Sequence, residues 1–195
     1  MPHYREGVIA QFFYVGVQIM CWTFIIQYGT RVLMADGMAE QAAEVTSQQY
    51  NILAMIIFCC SRFICTFLLR YVNTGRLLTV LAIVGGLLVV GVIGLQNIYG
   101  PYCLVRGSAC ITRMLPNIYG IALTGLGDDA KFGAAGLIMA ILGGSVLPPL
   151  QASIIDKGEL FGMPAVNVSF ILPFICFVVI AVYGQRTYLR SKGKL

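Results

Sequence analysis

Apolar residues run through this chain in blocks of roughly twenty, interrupted by short stretches that hold most of its charge. A helix needs about 20 such residues to cross a hydrocarbon layer of about 30 Å. The blocks predict six spans, at 7–33, 48–72, 76–96, 101–126, 133–155 and 166–185. The connections between them are 34–47, 73–75, 97–100, 127–132 and 156–165. The first span is long enough to tilt or to project beyond the bilayer. The 34–47 segment is acidic and carries no basic residue, which reads as an external connection. No low-complexity stretch or soluble domain interrupts the pattern, so residues 1–195 read as one transmembrane bundle.

Composition sharpens this reading. Of the 195 residues 58% are apolar and only 11% charged, whereas a soluble domain carries about a quarter charged residues. A surface so poor in charge suits lipid, not water. Six spans place both ends of the chain on one side of the membrane. On that side fall Arg5, Arg70, Arg76, Lys131, Arg186, Arg190, Lys192 and Lys194, against Arg31 and Lys157 opposite. Basic residues favour the cytoplasmic side, so both termini are expected there. The first residues show no small-residue cleavage site, so no removable signal peptide is expected. The net charge of +5 follows this membrane asymmetry and forms no stripe of the kind that binds nucleic acid. The seven cysteines include no CxxC pair and sit in apolar runs, so they read as small buried hydrophobes.

Polar residues inside a span are costly, and each calls for a reason. The first span carries Gln11, Tyr14, Gln18 and Trp22 along one face at helical spacing. Amides beside an indole suit a sugar, whose hydroxyls need hydrogen bonds and whose C–H face packs on an aromatic ring. From spacing alone, hydrogen bonding between neighbouring helices accounts for the glutamines equally well. Tyr50 and Asn51 open the second span and extend the same candidate cavity. Arg62 lies deeper and reads as structural. Arg106, Arg113 and Asn117 share a face of the fourth span, yet no acid in any span can pair with the arginines. A partner's counter-charge, access of water, or relaxed constraint each accounts for them. Gly143-Gly144 and Pro148-Pro149 predict a break in the fifth span, of the kind transporters place beside a substrate path. No Walker loop, metal-ligand cluster or nucleophile–base pair appears, and no span contains Asp, Glu, His or Lys. Neither an enzyme nor a bound cofactor or metal is expected.

Several separated motifs, in order, resemble the L-fucose:proton symporter family of the major facilitator superfamily. The run from Ala10 to Tyr28, AQFFYVGVQIMCWTFIIQY, is similar to that family's seventh transmembrane helix. Ser61-Arg62-Phe63 with Thr66 and Leu69, then Gly125–Ala134, then Ile138–Gly144, continue the match to about residue 190. The resemblance implies an all-α integral membrane fold, half of the superfamily's twelve helices, built as two three-helix inverted repeats. It implies a multi-pass protein of the bacterial inner membrane that pairs with an amino-terminal six-helix half. It further implies proton-coupled import of L-fucose or a related hexose, bound between the halves. Gln11, Tyr14, Gln18 and Trp22 match the family's cavity-facing residues. Where the family has Gln-Tyr-Pro-Thr-Ile-Phe in its tenth helix, this chain has Met114-Leu115-Pro116-Asn117-Ile118-Tyr119, leaving Asn117 and Tyr119 to contact substrate. The family's proton-coupling carboxylates lie in amino-terminal helices with no counterpart here. The competing expectation is a truncated, non-transporting membrane fragment or an assembly-modulating half-protein.

Overall fold

The computed structural model describes residues 2–68, 74–94, 99–123, 130–160 and 163–193, without the side chains of 2–3, 64–68, 113, 160, 163 and 191. Four rods open the chain: α1 (Pro2–Ala35), α2 (Glu40–Leu68), α3 (Thr74–Gly94) and α4 (Tyr99–Leu123). A fifth is broken into α5 (Ala130–Met139), a 3-10 turn at Ala140–Leu142, and α6 (Gly143–Ile155). A two-residue antiparallel pair follows, β1 (Glu159–Leu160) on β2 (Met163–Pro164). The last rod is α7 (Ala165–Ser169) and α8 (Ile171–Ser191), joined at Phe170.

Where they are described, the expected spans fall on these rods, with three differences; their ends at 69–72, 95–96 and 124–126 lie outside the described residues. Helix α2 begins at Glu40, eight residues before the expected start, so the connection shrinks to a tight turn. The segment Glu-Gln-Ala-Ala-Glu is polar but made of strong helix formers, and polarity alone does not end a helix. The turn itself is closed by glycine. Gly37 adopts φ +90, Gly37 N donates to Met34 O at 3.0 Å, and Met38 N donates to Leu33 O at 3.1 Å. This double cap satisfies carbonyls at the end of α1 and suits the one residue without a Cβ. Next, the break in the fifth rod precedes Gly143, whereas Pro148 and Pro149 lie inside regular α6. Finally, the cysteines divide: Cys21 and Cys176 are buried, but Cys59 and Cys60 are exposed on α2. Their neighbours Met55, Ile56 and Phe63 are exposed too, because α2 packs through only part of its circumference.

Helix α1 is the hub and packs against α2, α4, α6 and α8, while α3 packs between α4 and α8. Tyr14, Met20, Ile25 and Tyr28 of α1 meet Leu78 of α3, Ile111, Met114 and Ile118 of α4, and Phe177 and Ile180 of α8 in one core. The outside is as apolar as the inside. Ile83 and Leu87 of α3, Met139 and Leu142 of the fifth rod, and Val178 and Val182 of α8 all face outward. Among the described residues, four helices are long and apolar enough to cross a membrane: Tyr4–Ala35, Thr74–Gly94, Ala130–Ile155 and Ala165–Arg190.

Two small-residue contacts set how α1 meets the broken rod. Leu147 fills the space over Gly16, and a Cβ on Gly143 would collide with the backbone carbonyl of Phe12. Helices approach this closely where small residues line the crossing. The two ends of the chain meet as well. Arg190 donates Nη1 and Nη2 to Glu6 Oε2 and Oε1 at 3.2 and 3.3 Å, and Arg186 Nη1 reaches Glu6 Oε1 at 3.2 Å.

Candidate substrate-binding face

Along α1, positions 7, 11, 14, 18, 21, 25 and 28 follow a spacing of four and three, which keeps them on one helix face. Contacts at both ends fix where that face looks. A Cβ on Gly7 would lie 2.6 Å from that of Ala122, and the hydroxyl of Tyr28 fills the space over Gly100. The face therefore runs antiparallel along α4. Four residues on from the Gly7–Ala122 contact, Gln11 lies at the height of Asn117 and Ile118.

Burial divides the residues singled out by sequence. Gln11 is 3% exposed, and Tyr14 and Asn117 are 0% exposed. Gln11 Oε1, the Tyr14 hydroxyl and both amide atoms of Asn117 have no hydrogen-bond partner among the described residues. An unmade hydrogen bond at a buried polar atom costs about 1–3 kcal/mol. Gln18 and Trp22 are only half-buried. The Trp22 indole meets Phe58 of α2 edge-on at 4.6 Å and 87°, and its Nε1 is buried without a partner. Tyr119 is half-buried on α4. The structure thus brings Gln11, Tyr14 and Asn117 into the interior along α1 and α4, and leaves Gln18, Trp22 and Tyr119 partly open.

The α2–α4 seam forms the neighbouring wall. Tyr50 meets Tyr102 edge-on at 5.3 Å, and Ser61 Oγ donates to Ala109 O at 3.5 Å. Asn51 Oδ1 is buried without a partner near the start of this seam. Arg62 and Arg106 are exposed at its surface. Arg106 and Asn117 lie eleven residues apart on α4, the spacing of one helix face, but their burial differs: Arg106 is exposed and Asn117 fully buried. The Arg113 side chain lies outside the described residues.

Sequence reasoning passed over a second polar group. Gln151 of α6 is fully buried, donates Nε2 to Ser169 Oγ at 3.1 Å, and leaves Oε1 unpartnered. Asn167 Nδ2 donates to Val92 O at 3.4 Å, and the Tyr28 hydroxyl donates to the same carbonyl at 3.2 Å. An amide residue two positions beyond a double proline in an apolar run was the available signal. Among the described residues no group of His, Cys, Asp or Glu could hold a metal ion.

These rods form a bundle with an apolar exterior around a central helix, with buried amide and hydroxyl atoms along it. The comparisons with known proteins show what such a chain is similar to. The chain is 54% identical over 187 residues to the L-fucose-proton symporter of Haemophilus influenzae, covering 95% of this chain and 41% of that protein. It is 27% identical to the L-fucose-proton symporter of Escherichia coli over 185 residues (94% and 39% of the two chains), and 27% identical to a glucose/galactose transporter of Brucella abortus over 182 residues (93% and 42%). A crystal structure of the major facilitator superfamily transporter FucP in the outward conformation superposes with a TM-score of 0.81 at 26% identity, covering 95% of this chain and 42% of that one. No protein-family model matches. Over nearly its whole length the chain is thus similar to part of the L-fucose-proton symporters, which are transporters of the major facilitator superfamily and not enzymes. It spans about two fifths of the length of these relatives.

Proposed function

We propose that this chain is the carboxy-terminal half of a proton-coupled sugar permease, supplying one wall of a cavity for L-fucose or a related hexose. The observation that carries this reading is the 54% identity to an L-fucose-proton symporter along 95% of the chain. The packing supports a six-helix bundle of two inverted repeats, with the broken rods counted as one helix each. Exchanging α1–α3 with α4–α8 maps the pairings onto each other: α2 on α4 mirrors α6 on α1, and α3 on α4 mirrors α8 on α1. Helices α1 and α4 pack together at the centre of this exchange, so a site at their meeting line suits substrate binding between halves.

In this reading Gln18 and Trp22 contact the sugar from the open face, Tyr119 flanks it, and Gln11, Tyr14 and Asn117 line the deeper end. Trp22 supplies the apolar ring surface and the amides supply hydrogen bonds. The chain contributes no carboxylate within a span, so protons are coupled by carboxylates of an amino-terminal six-helix half. The multi-pass protein sits in the bacterial inner membrane with both ends of the chain cytoplasmic. The Glu6–Arg190 pair, which brings those ends together beside the basic residues of α8, supports that orientation.

The test is uptake of labelled L-fucose, glucose and galactose in cells lacking fucose uptake. The chain is expressed alone and with the complementary half of the H. influenzae symporter, with co-purification reporting assembly. Uptake in the paired state alone is expected, lost in Trp22→Ala. Uptake by the chain alone, or no uptake by an assembled pair, rejects the reading in favour of a self-sufficient carrier or a non-transporting half-protein.

A further inference from the structure

Outside the candidate cavity, α1 and α8 leave a groove between them on the bundle's outer surface. It is lined by Ile9 and Ala10 of α1 and by Val179, Val182 and Tyr183 of α8, and it ends at Glu6 and Arg186. A second groove runs along the other side of α8 against α3, lined by Ile83, Leu87, Phe174 and Val178, and it ends at Thr79 and Gln185. Val182 lines both, so α8 is a ridge with a trough on each flank. Each trough is apolar along its length and polar at the same end of α8.

The charge at that end is positive. Two guanidiniums, Arg186 and Arg190, share the single carboxylate of Glu6, and the Arg186 side chain remains 53% exposed. Arg5 and Lys192 are exposed close by in sequence at the same ends of α1 and α8. Among the described residues, Arg5, Arg186, Arg190 and Lys192 thus stand against Glu6 where apolar troughs open at a helix end. A free anion needs no trough, and a neutral lipid needs no cationic rim. Basic pockets beside membrane helices hold anionic headgroups.

We propose that this end of α1 and α8 is a binding site for an anionic phospholipid of the surrounding bilayer, with its phosphate at Arg186 and its acyl chains in the two troughs beside Val182. Exposed Arg186 provides the contact, and Glu6 holds Arg190 in place while limiting the site's net charge. This assignment is independent of the sugar carried, or of any transport at all.

Native mass spectrometry of the full chain in detergent tests it, using phosphatidylglycerol and phosphatidylcholine of the same acyl chains. Phosphatidylglycerol should be retained at least fivefold over phosphatidylcholine. Arg186→Glu should bring the two to parity, Val182→Trp should lower retention of phosphatidylglycerol severalfold by filling both troughs, and Glu6→Gln should maintain or raise it. Circular dichroism and gel filtration identify any variant that misfolds, leaving the others to decide. Equal retention of the two lipids by the unmodified chain overturns the proposal, as does undiminished preference in folded Arg186→Glu. Displacement of the lipid by millimolar glycerol phosphate overturns it too, since the headgroup would then bind without the troughs.

Discussion

Gly143 tolerates no side chain, because its missing Cβ is where the Phe12 carbonyl of α1 sits. Backbone cannot move aside as a flexible side chain can. Gly143→Val should therefore destabilise the bundle by about 1–3 kcal/mol, the usual cost of overpacking, and lower the melting temperature in detergent. Gly107, with nothing within 4 Å of its added Cβ, serves as control, and Gly107→Ala should melt at or slightly above the unmodified protein. Asn117 presents the opposite case. Its amide is fully buried with neither atom partnered among the described residues, so it destabilises the fold it belongs to. Asn117→Leu should leave thermal stability unchanged or raised, since removing an unsatisfied polar group is neutral or favourable. The same change should abolish sugar uptake by the paired carrier. A marked fall in melting temperature would show that the amide is instead a structural fixture.

At the scale of elements, the fifth rod is broken by packing and not by proline. The 3-10 turn at Ala140–Leu142 ends where Gly143 meets α1, whereas Pro148 and Pro149 ride within α6. Replacing both prolines with alanine restores two backbone donors, each worth roughly 0.5–1.5 kcal/mol. It should leave hydrogen exchange at 140–143 unchanged; altered protection there would return the break to the prolines. The rods themselves were legible in the sequence, since apolar runs of bilayer length admit little but helix. Their ends were less so. The start of α2 at Glu40 was hidden because its first two turns are polar, and helix propensity and hydropathy disagree there. The antiparallel pair of β1 and β2 is two residues per strand, too short to leave a periodic signal.

For the molecule as a whole, Glu6 joins the beginning of the chain to its end across 184 residues. Glu6→Gln should cost no more than roughly 1 kcal/mol, the range for partly exposed ion pairs, read as a small salt-sensitive drop in melting temperature. Of the candidate site, the residue types and their helix face were visible in sequence, because polar groups in apolar runs stand out. Depth was not. Gln11 and Tyr14 lie inside while Gln18 and Trp22 lie at the edge, and that depends on how α4 and α2 close over α1. Spacing within one helix carries no record of its neighbours.

The hub position of α1 has a consequence for biosynthesis. Gln11 and Tyr14 leave the ribosome about a hundred residues ahead of the α4 surface that covers them. At roughly 5–20 residues per second, the nascent helix waits several seconds or more with bare amide and phenol groups in the hydrocarbon. Of its other neighbours α2 arrives earlier, but α6 and α8 arrive later still. An insertion chaperone that shields polar faces would have its longest engagement with this helix, and a ribosome stalled before α4 would leave a product marked for quality-control proteolysis.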